Sequence, residues 1–357
     1  MDFDKAHDLV AAVVEAIQAP HDEEAPGDNR HNSYECNAFA ARRRRMHPER
    51  IAERVERAGL KRTESLLVAL ATHATIASPR GVDIAWMASA AARVGDEHLL
   101  LEMAGVVFAF NTMNRIADAL RLRLEYRFLR ELKPIRGWVE RRMASLTGLV
   151  YDLSYKHHPR HSPEELLDRL SVLFERLDAP GVPDVFEWLC QSPVVLEGVL
   201  EMLEVNVTSA GVRFDLLKET AAISVASRAM PGSGLSRAVD QWLPQGSLPD
   251  SNPHDTWGAP SDIASDSSLV SACRRYSWQV ANATHTISEE QIRKMSELGL
   301  SDAELFDLTL GSALFAALAI IEPISAAVAA NTDRRRAGVA VTRDGQVQSA
   351  LREKLAV

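Results

Sequence analysis

The chain has 357 residues, 46% apolar and 25% charged, with 40 Lys and Arg against 49 Asp and Glu for a formal charge of −9. That is the composition of a globular protein with ample core material, enough for two domains or one duplicated unit, and its acidic balance disfavours a general nucleic-acid binder. Three widely spaced cysteines, Cys36, Cys190 and Cys273, disfavour a disulfide framework and fit a reducing compartment.

Taken in order, nearly every periodic segment has the helical period, and the expected fold class is all-α. The start, MDFDKAHDLV, lacks a basic stretch leading into an apolar core, so no signal peptide is expected. Residues 4–19 read as an amphipathic helix ending before Pro20, followed by the acidic loop HDEEAPGDNRHN. Residues 35–58 read as a charged helix whose Arg42-Arg43-Arg44-Arg45 surrounds a helical turn rather than forming one binding face. Helices follow at 63–77, 81–93 and 99–120, then at 134–153 and 163–177 across a basic loop, KHHPRHSP. His157, His158 and His161 in that loop lack a neighbouring acid or cysteine at ligand spacing, and no metal is expected. Helices at about 183–190, 193–208 and 213–228 precede a Pro-, Ser- and Asp-rich surface loop at 245–268. The last helices are 268–284, 288–298 and 302–329, and the tail 333–357 reads as a hairpin plus helix or as an arm onto a partner. The longest apolar run, Ser312–Ala330, is broken by Glu322 and Pro323 and reads as a buried helix; no membrane partner is expected.

The stretch 99–120 organises the rest. Leu100, Met103, Val107, Phe110, Ala117 and Leu120 form a stripe for burial, while Asn111, Asn114, Arg115 and Asp118 sit at i,i+3 and i,i+4 spacing. Buried polar groups cost about 1–3 kcal/mol each unless partnered, so this set is either a satisfied network or the wall of a pocket. Phe110 to Leu120 resembles the FNxxNRxADAL helix of the alkyl hydroperoxidase D-like (carboxymuconolactone decarboxylase) family, and Asp96-Glu97 resembles the acidic start of that helix.

The element order repeats. Asp8–Pro20 resembles Glu219–Pro231, Ala71–Ile76 resembles Ala283–Ile287, and Glu102–Phe110 resembles Asp307–Phe315. Pro193–Glu197, Leu216–Glu219 and the connection Ile287–Leu305 also look like the family. The resemblance implies a duplicated alkyl hydroperoxidase D-like bundle with pseudo-two-fold symmetry. Its parts are a degenerate first repeat at 1–132, connecting helices at 133–212, a second repeat at 213–332 and the basic tail. It also implies a homo-oligomer.

The family's peroxidases carry a glutamate, then Cys-x-x-Cys, then a histidine, a set that makes a low-pKa thiolate and a resolving thiol. Glu219 matches the glutamate, but the cysteine positions fall on Pro231 and Gly234 and the histidine on Ala238; the first copy has Asp8, Pro20 and Glu23. A dithiol peroxidase is therefore not expected, and no cofactor is expected. Cys190 and Cys273 read as packing residues, whereas Cys36, beside Glu35, is the one thiol in a polar setting. The candidate acid/base groups are His73 and His285, each after Ala-Thr at a helix end, together with Glu219 and Glu322. Glu322 lies in LFAALAIIEPISAAV without a local basic partner, which points to a raised pKa or a long-range partner, with Arg115 the candidate.

Two functions remain open at this level. One is an enzyme using acid/base chemistry on a small carboxylate or lactone-type substrate, held by Asn111, Asn114, Arg115 and Asp118. The other is a non-catalytic homologue kept for ligand binding or assembly. Both are expected to be cytoplasmic.

Overall fold

The computed structural model describes residues 48–57, 59–76, 81–120, 160–208, 214–243 and 268–354. The helices expected at 4–19 and 134–153, the Arg42–Arg45 run, Cys36 and the loop 245–268 lie outside them. Among the described residues the fold is all-α.

Helix α1 (Pro48–Arg57) packs on α2 (Arg62–Ile76). Helix α3 (Ile84–Val94) is started by Asp83, whose carboxylate accepts the Trp86 N–H at 2.9 Å, and is ended by Gly95 in the left-handed region at φ 73°. Asp96 follows at once and caps α4 (Glu97–Ala119) by accepting from His98 and Leu99, so only two residues separate the helices. After the segment 121–159 comes α5 (Pro163–Arg176), which opens on a reciprocal Ser162/Glu165 capping box with Pro163 at the first helical position. It leads through the short α6 (Asp184–Leu189) to α7 (Pro193–Thr208) and α8 (Phe214–Arg228). The six-residue α9 (Gly234–Val239), a 3₁₀ turn at Asp240–Trp242, and α10 (Leu269–Asn282) come next. A second 3₁₀ turn at Thr284–Thr286 and α11 (Glu289–Glu297) precede α12 (Asp302–Lys354).

Helix α12 is the axis of the core. Its positions from Ala313 to Ile321 are at most 1% exposed on every side, each large aliphatic burial contributing about 1.5–3 kcal/mol. Asp302–Thr332 has the length and apolarity of a membrane span, yet 83% of its apolar window is buried inside the fold, as the sequence anticipates for a core helix. Pro323 does not interrupt it, and the helix continues to Lys354, correcting the expected hairpin. No proline follows Pro323, so nothing in the tail's sequence forces a stop.

Helices α4 and α12 run antiparallel. Leu100, Ala104 and Phe108 share a cluster with Leu314–Ile324, while Ile116, Ala119 and Leu120 share one with Leu305, Leu308 and Tyr276. Close approach relies on two glycines: a Cβ at Gly105 would come within 3.1 Å of Val195, and one at Gly311 within 2.8 Å of Asn206 and Leu217. The Asn206 amide also donates to the Asp307 carbonyl at 2.9 Å, tying the end of α7 to the start of α12.

Candidate functional site

The polar residues singled out on α4 enter a layer where the ends of α2, α4, α8 and α10 meet. Asn111 is buried; its Nδ2 donates to Val107 O at 2.8 Å and to Thr75 Oγ1 on α2 at 3.3 Å. Its Oδ1 accepts from Arg115 Nη1 at 2.6 Å. Arg115 then reaches across to α10, giving Nε and Nη2 to the Ala281 carbonyl at 3.4 and 3.3 Å. That carbonyl belongs to the last turn of α10, where carbonyls lack a helical partner and a cation is favoured. Burial pulls the Arg115 guanidinium down to about 10, against which Asp118 acts at longer range, so it remains charged at neutral pH. Asp118 is exposed and accepts from Thr284 Oγ1 at 3.1 Å, a second strut to the same turn. Asn114 is exposed and joins none of these bonds.

A parallel arrangement closes α2. Arg228, buried at the end of α8, donates to Thr75 O at 2.5 Å, and the neighbouring Ser227 accepts from Asn282 at 2.9 Å. Sequence reasoning missed Arg228, Asn282 and Ala281. A basic residue ending a helix was the available signal for Arg228, whereas a backbone carbonyl such as that of Ala281 leaves none.

The acid/base candidates are dispersed. His73 is buried in the last turn of α2, edge-on to Trp86, with Nε2 accepting the Asp83 N–H at 3.0 Å. That acceptor role places the ring proton on Nδ1 and makes the imidazole part of the α3 start. His285 lies not in a helix end like His73 but in the 3₁₀ turn beyond α10. Glu219 is buried on α8, where Arg274 of α10 donates Nε to Oε1 at 2.6 Å and Nη2 to the same oxygen. Glu322, 5% exposed, accepts the Leu235 N–H through Oε1 at 2.7 Å at the start of α9. Its Oε2 has no hydrogen-bond partner. Burial pushes the Glu322 carboxyl up, against smaller opposing effects of Ser233 and the Leu235 N–H.

The expected meeting of Arg115 with Glu322 does not occur. Arg115 adjoins the end of the bundle holding Leu305 and Leu308, and Leu308 is ~21 Å from Glu322 along α12 at 1.5 Å per residue. Each group has instead found a backbone partner. A depression of about 410 Å³ lies at the end of α5, lined by Phe174, Asp178, Pro180 and Val182, and touches neither residue. Among the described residues no three His, Cys, Asp or Glu side chains converge as metal ligands. Cys273 is buried, and burial together with Glu187 and Glu164 pushes the half-buried Cys190 thiol up, away from a thiolate.

Sequence reasoning also missed a charged cluster between α5 and α7. Arg169 forks onto Glu204 with Nε–Oε1 at 3.0 Å and Nη2–Oε2 at 2.5 Å, while His161 Nδ1 meets Glu197 at 2.6 Å. The His161 ring and the Arg160 N–H hold the buried Glu197 carboxyl below its usual value despite desolvation. His161, weighed above only as a metal ligand, is therefore an anchor for the chain where it returns to the bundle.

No protein-family model matches the chain, and no curated protein or solved structure matches it.

Proposed function

We propose that the protein is non-catalytic, a helical binding or assembly protein resembling the alkyl hydroperoxidase D-like scaffold, in which the residues of a former active centre serve as joints between helices. One observation carries this reading. His73, Glu219, Arg115 and Glu322 are each engaged by a backbone group or an ion pair that links two elements. A catalytic group needs access to a reacting atom as well as a tuned pKa. The internal duplication and the homo-oligomer belong to the same proposal. The antiparallel contact of α4 with α12 supports a pseudo-two-fold relation, although the repeated Ala-Thr-His lies inside α2 in one half and beyond α10 in the other.

The test is direct turnover. Purified full-length protein is offered an organic hydroperoxide with a dithiol reductant and, separately, a small carboxylated lactone. No turnover above buffer is expected; turnover abolished by Glu322→Gln in a protein that still folds would overturn the reading. That second possibility has its own support in the buried, protonation-prone Glu322 with one oxygen unbonded.

A further inference from the structure

The segment 231–243 carries α9 and the 3₁₀ turn Asp240–Trp242 and lies against α12. Leu235, Ala238, Val239 and Trp242 are buried, and the Trp242 ring meets Phe315 of α12 edge-on at 5.7 Å. Most polar bonds of the segment are local: Ser233 N–H to Met230 O, Ser236 N–H to Ser233 Oγ and Arg237 Nη1 to Gly232 O. The bond that crosses to α12 is the one from the Leu235 N–H to Glu322 Oε1. On the outer side Arg237 approaches Asp184 of α6 at 3.8 Å. The chain enters the segment through the exposed turn Pro231-Gly232, where Gly232 takes the left-handed φ of 74° that other residues adopt only with strain. An exposed glycine turn at one side and a single polar tie to the core describe a unit able to open without unravelling α8 or α12.

The tie is a poor seat for a charge. Glu322 is buried, its second oxygen has no hydrogen-bond partner, and α12 carries no other charged residue between Asp307 and Asp333. An ionised carboxylate there exchanges its hydration for one backbone bond, whereas the neutral acid gives up much less. Of the charged groups on the neighbouring elements, Asp184 of α6 opposes ionisation of Glu322 and Arg237 of α9 favours it. Glu187 on α6, Asp240 in the 3₁₀ turn and Arg93 on α3 are exposed.

We propose that segment 231–243 is a pH-gated flap, closed on α12 while Glu322 carries its proton and opening, with the rest of the bundle folded, as that proton is lost to solvent. The buried apolar side chains keep the flap closed most of the time, and Glu322 sets how often it opens. In the closed form burial holds the carboxyl above its ordinary value, and in the open form water returns it there. Opening is therefore independent of pH below the ordinary glutamate value. Above it, opening rises by about tenfold per pH unit until the raised value is passed, and then levels. Each opening takes Trp242 off Phe315 and bares the Glu322 carboxylate. The device does not depend on whether the protein is catalytic.

The experiment follows amide hydrogen exchange of the full-length protein from about pH 4 to about pH 8, each rate divided by that of the same amide in an unstructured peptide. Opening at the amides of 235–242 is expected to rise by about tenfold or more across this range. At every pH it should exceed that of amides in α8 and in the buried stretch 313–321 of α12, which marks a local opening rather than unfolding of the whole chain. Glu322→Gln keeps an acceptor for Leu235 and does not ionise, and is expected to flatten the profile. A flat profile in the wild type, or flap amides no more open than those of α12, would overturn the proposal, and neither result requires the variant to fold. A rise retained in a folded Glu322→Gln protein would overturn it as well.

Discussion

The Glu322 carboxylate accepts the Leu235 N–H at 2.7 Å from inside the core, so α12 holds the start of α9 through a charge-capable group. A negative group is favoured at a helix start, yet burial of Glu322 outweighs that help and raises its pKa. The folded protein therefore holds this proton more tightly than the unfolded chain. Stability falls as pH rises from the ordinary glutamate value through the raised one. Glu322→Gln, which keeps an oxygen for Leu235 and cannot ionise, is expected to melt above the wild type at about pH 8 and level with it at about pH 4. Thermal unfolding across that range checks this; a lower melting temperature for the Gln variant at the higher pH would show that the charge itself stabilises α9.

Glu219 and Arg274 are 11% and 23% exposed and bond through one carboxylate oxygen across α8 and α10. Removing one member strands the other. Glu219→Leu alone is expected to cost about 3–5 kcal/mol in urea unfolding, and adding Arg274→Met to recover most of it. A double variant no more stable than the single one would contradict the pairing.

Two helical glycines separate packing from propensity. Gly311→Ala drives a Cβ to 2.8 Å from Asn206 and Leu217 and is expected to destabilise by about 1–3 kcal/mol. Gly198→Ala, with nothing within 4 Å, is expected to stabilise α7 by about 0.5–1 kcal/mol. Denaturant midpoints for the two variants should move in opposite directions.

The helical fold was legible because its signals are local: the helical period of nearly every segment, the acidic start at Asp96 and the apolar run of α12. So was the pairing of Asn111 with Arg115, an i,i+4 relation. The stripe read on α4 holds in part: Leu100 and Val107 are buried, whereas Phe110 is 59% exposed. What the sequence did not disclose was the far end of each polar contact. The partners of Arg115, His73 and Glu322 are the Ala281 carbonyl, the Asp83 N–H and the Leu235 N–H, and every residue carries such groups. Glu322 therefore looked partnerless along its own helix and seemed to call for Arg115, although antiparallel packing of α4 on α12 carries the two to different ends of the bundle. Asn114 shows the converse: its spacing fits the polar set, but the helix turns it outward.

The central claim is that the charged interior groups act as joints, and urea unfolding of Arg115→Met tests it most directly. Met keeps much of the apolar stem but leaves the Ala281 carbonyl and Asn111 Oδ1 without their shared donor. The account predicts a loss of about 1.5–3 kcal/mol relative to wild type. A variant as stable as the wild type, or more stable, is the behaviour of a charge kept for a ligand at the expense of the fold, and would contradict it.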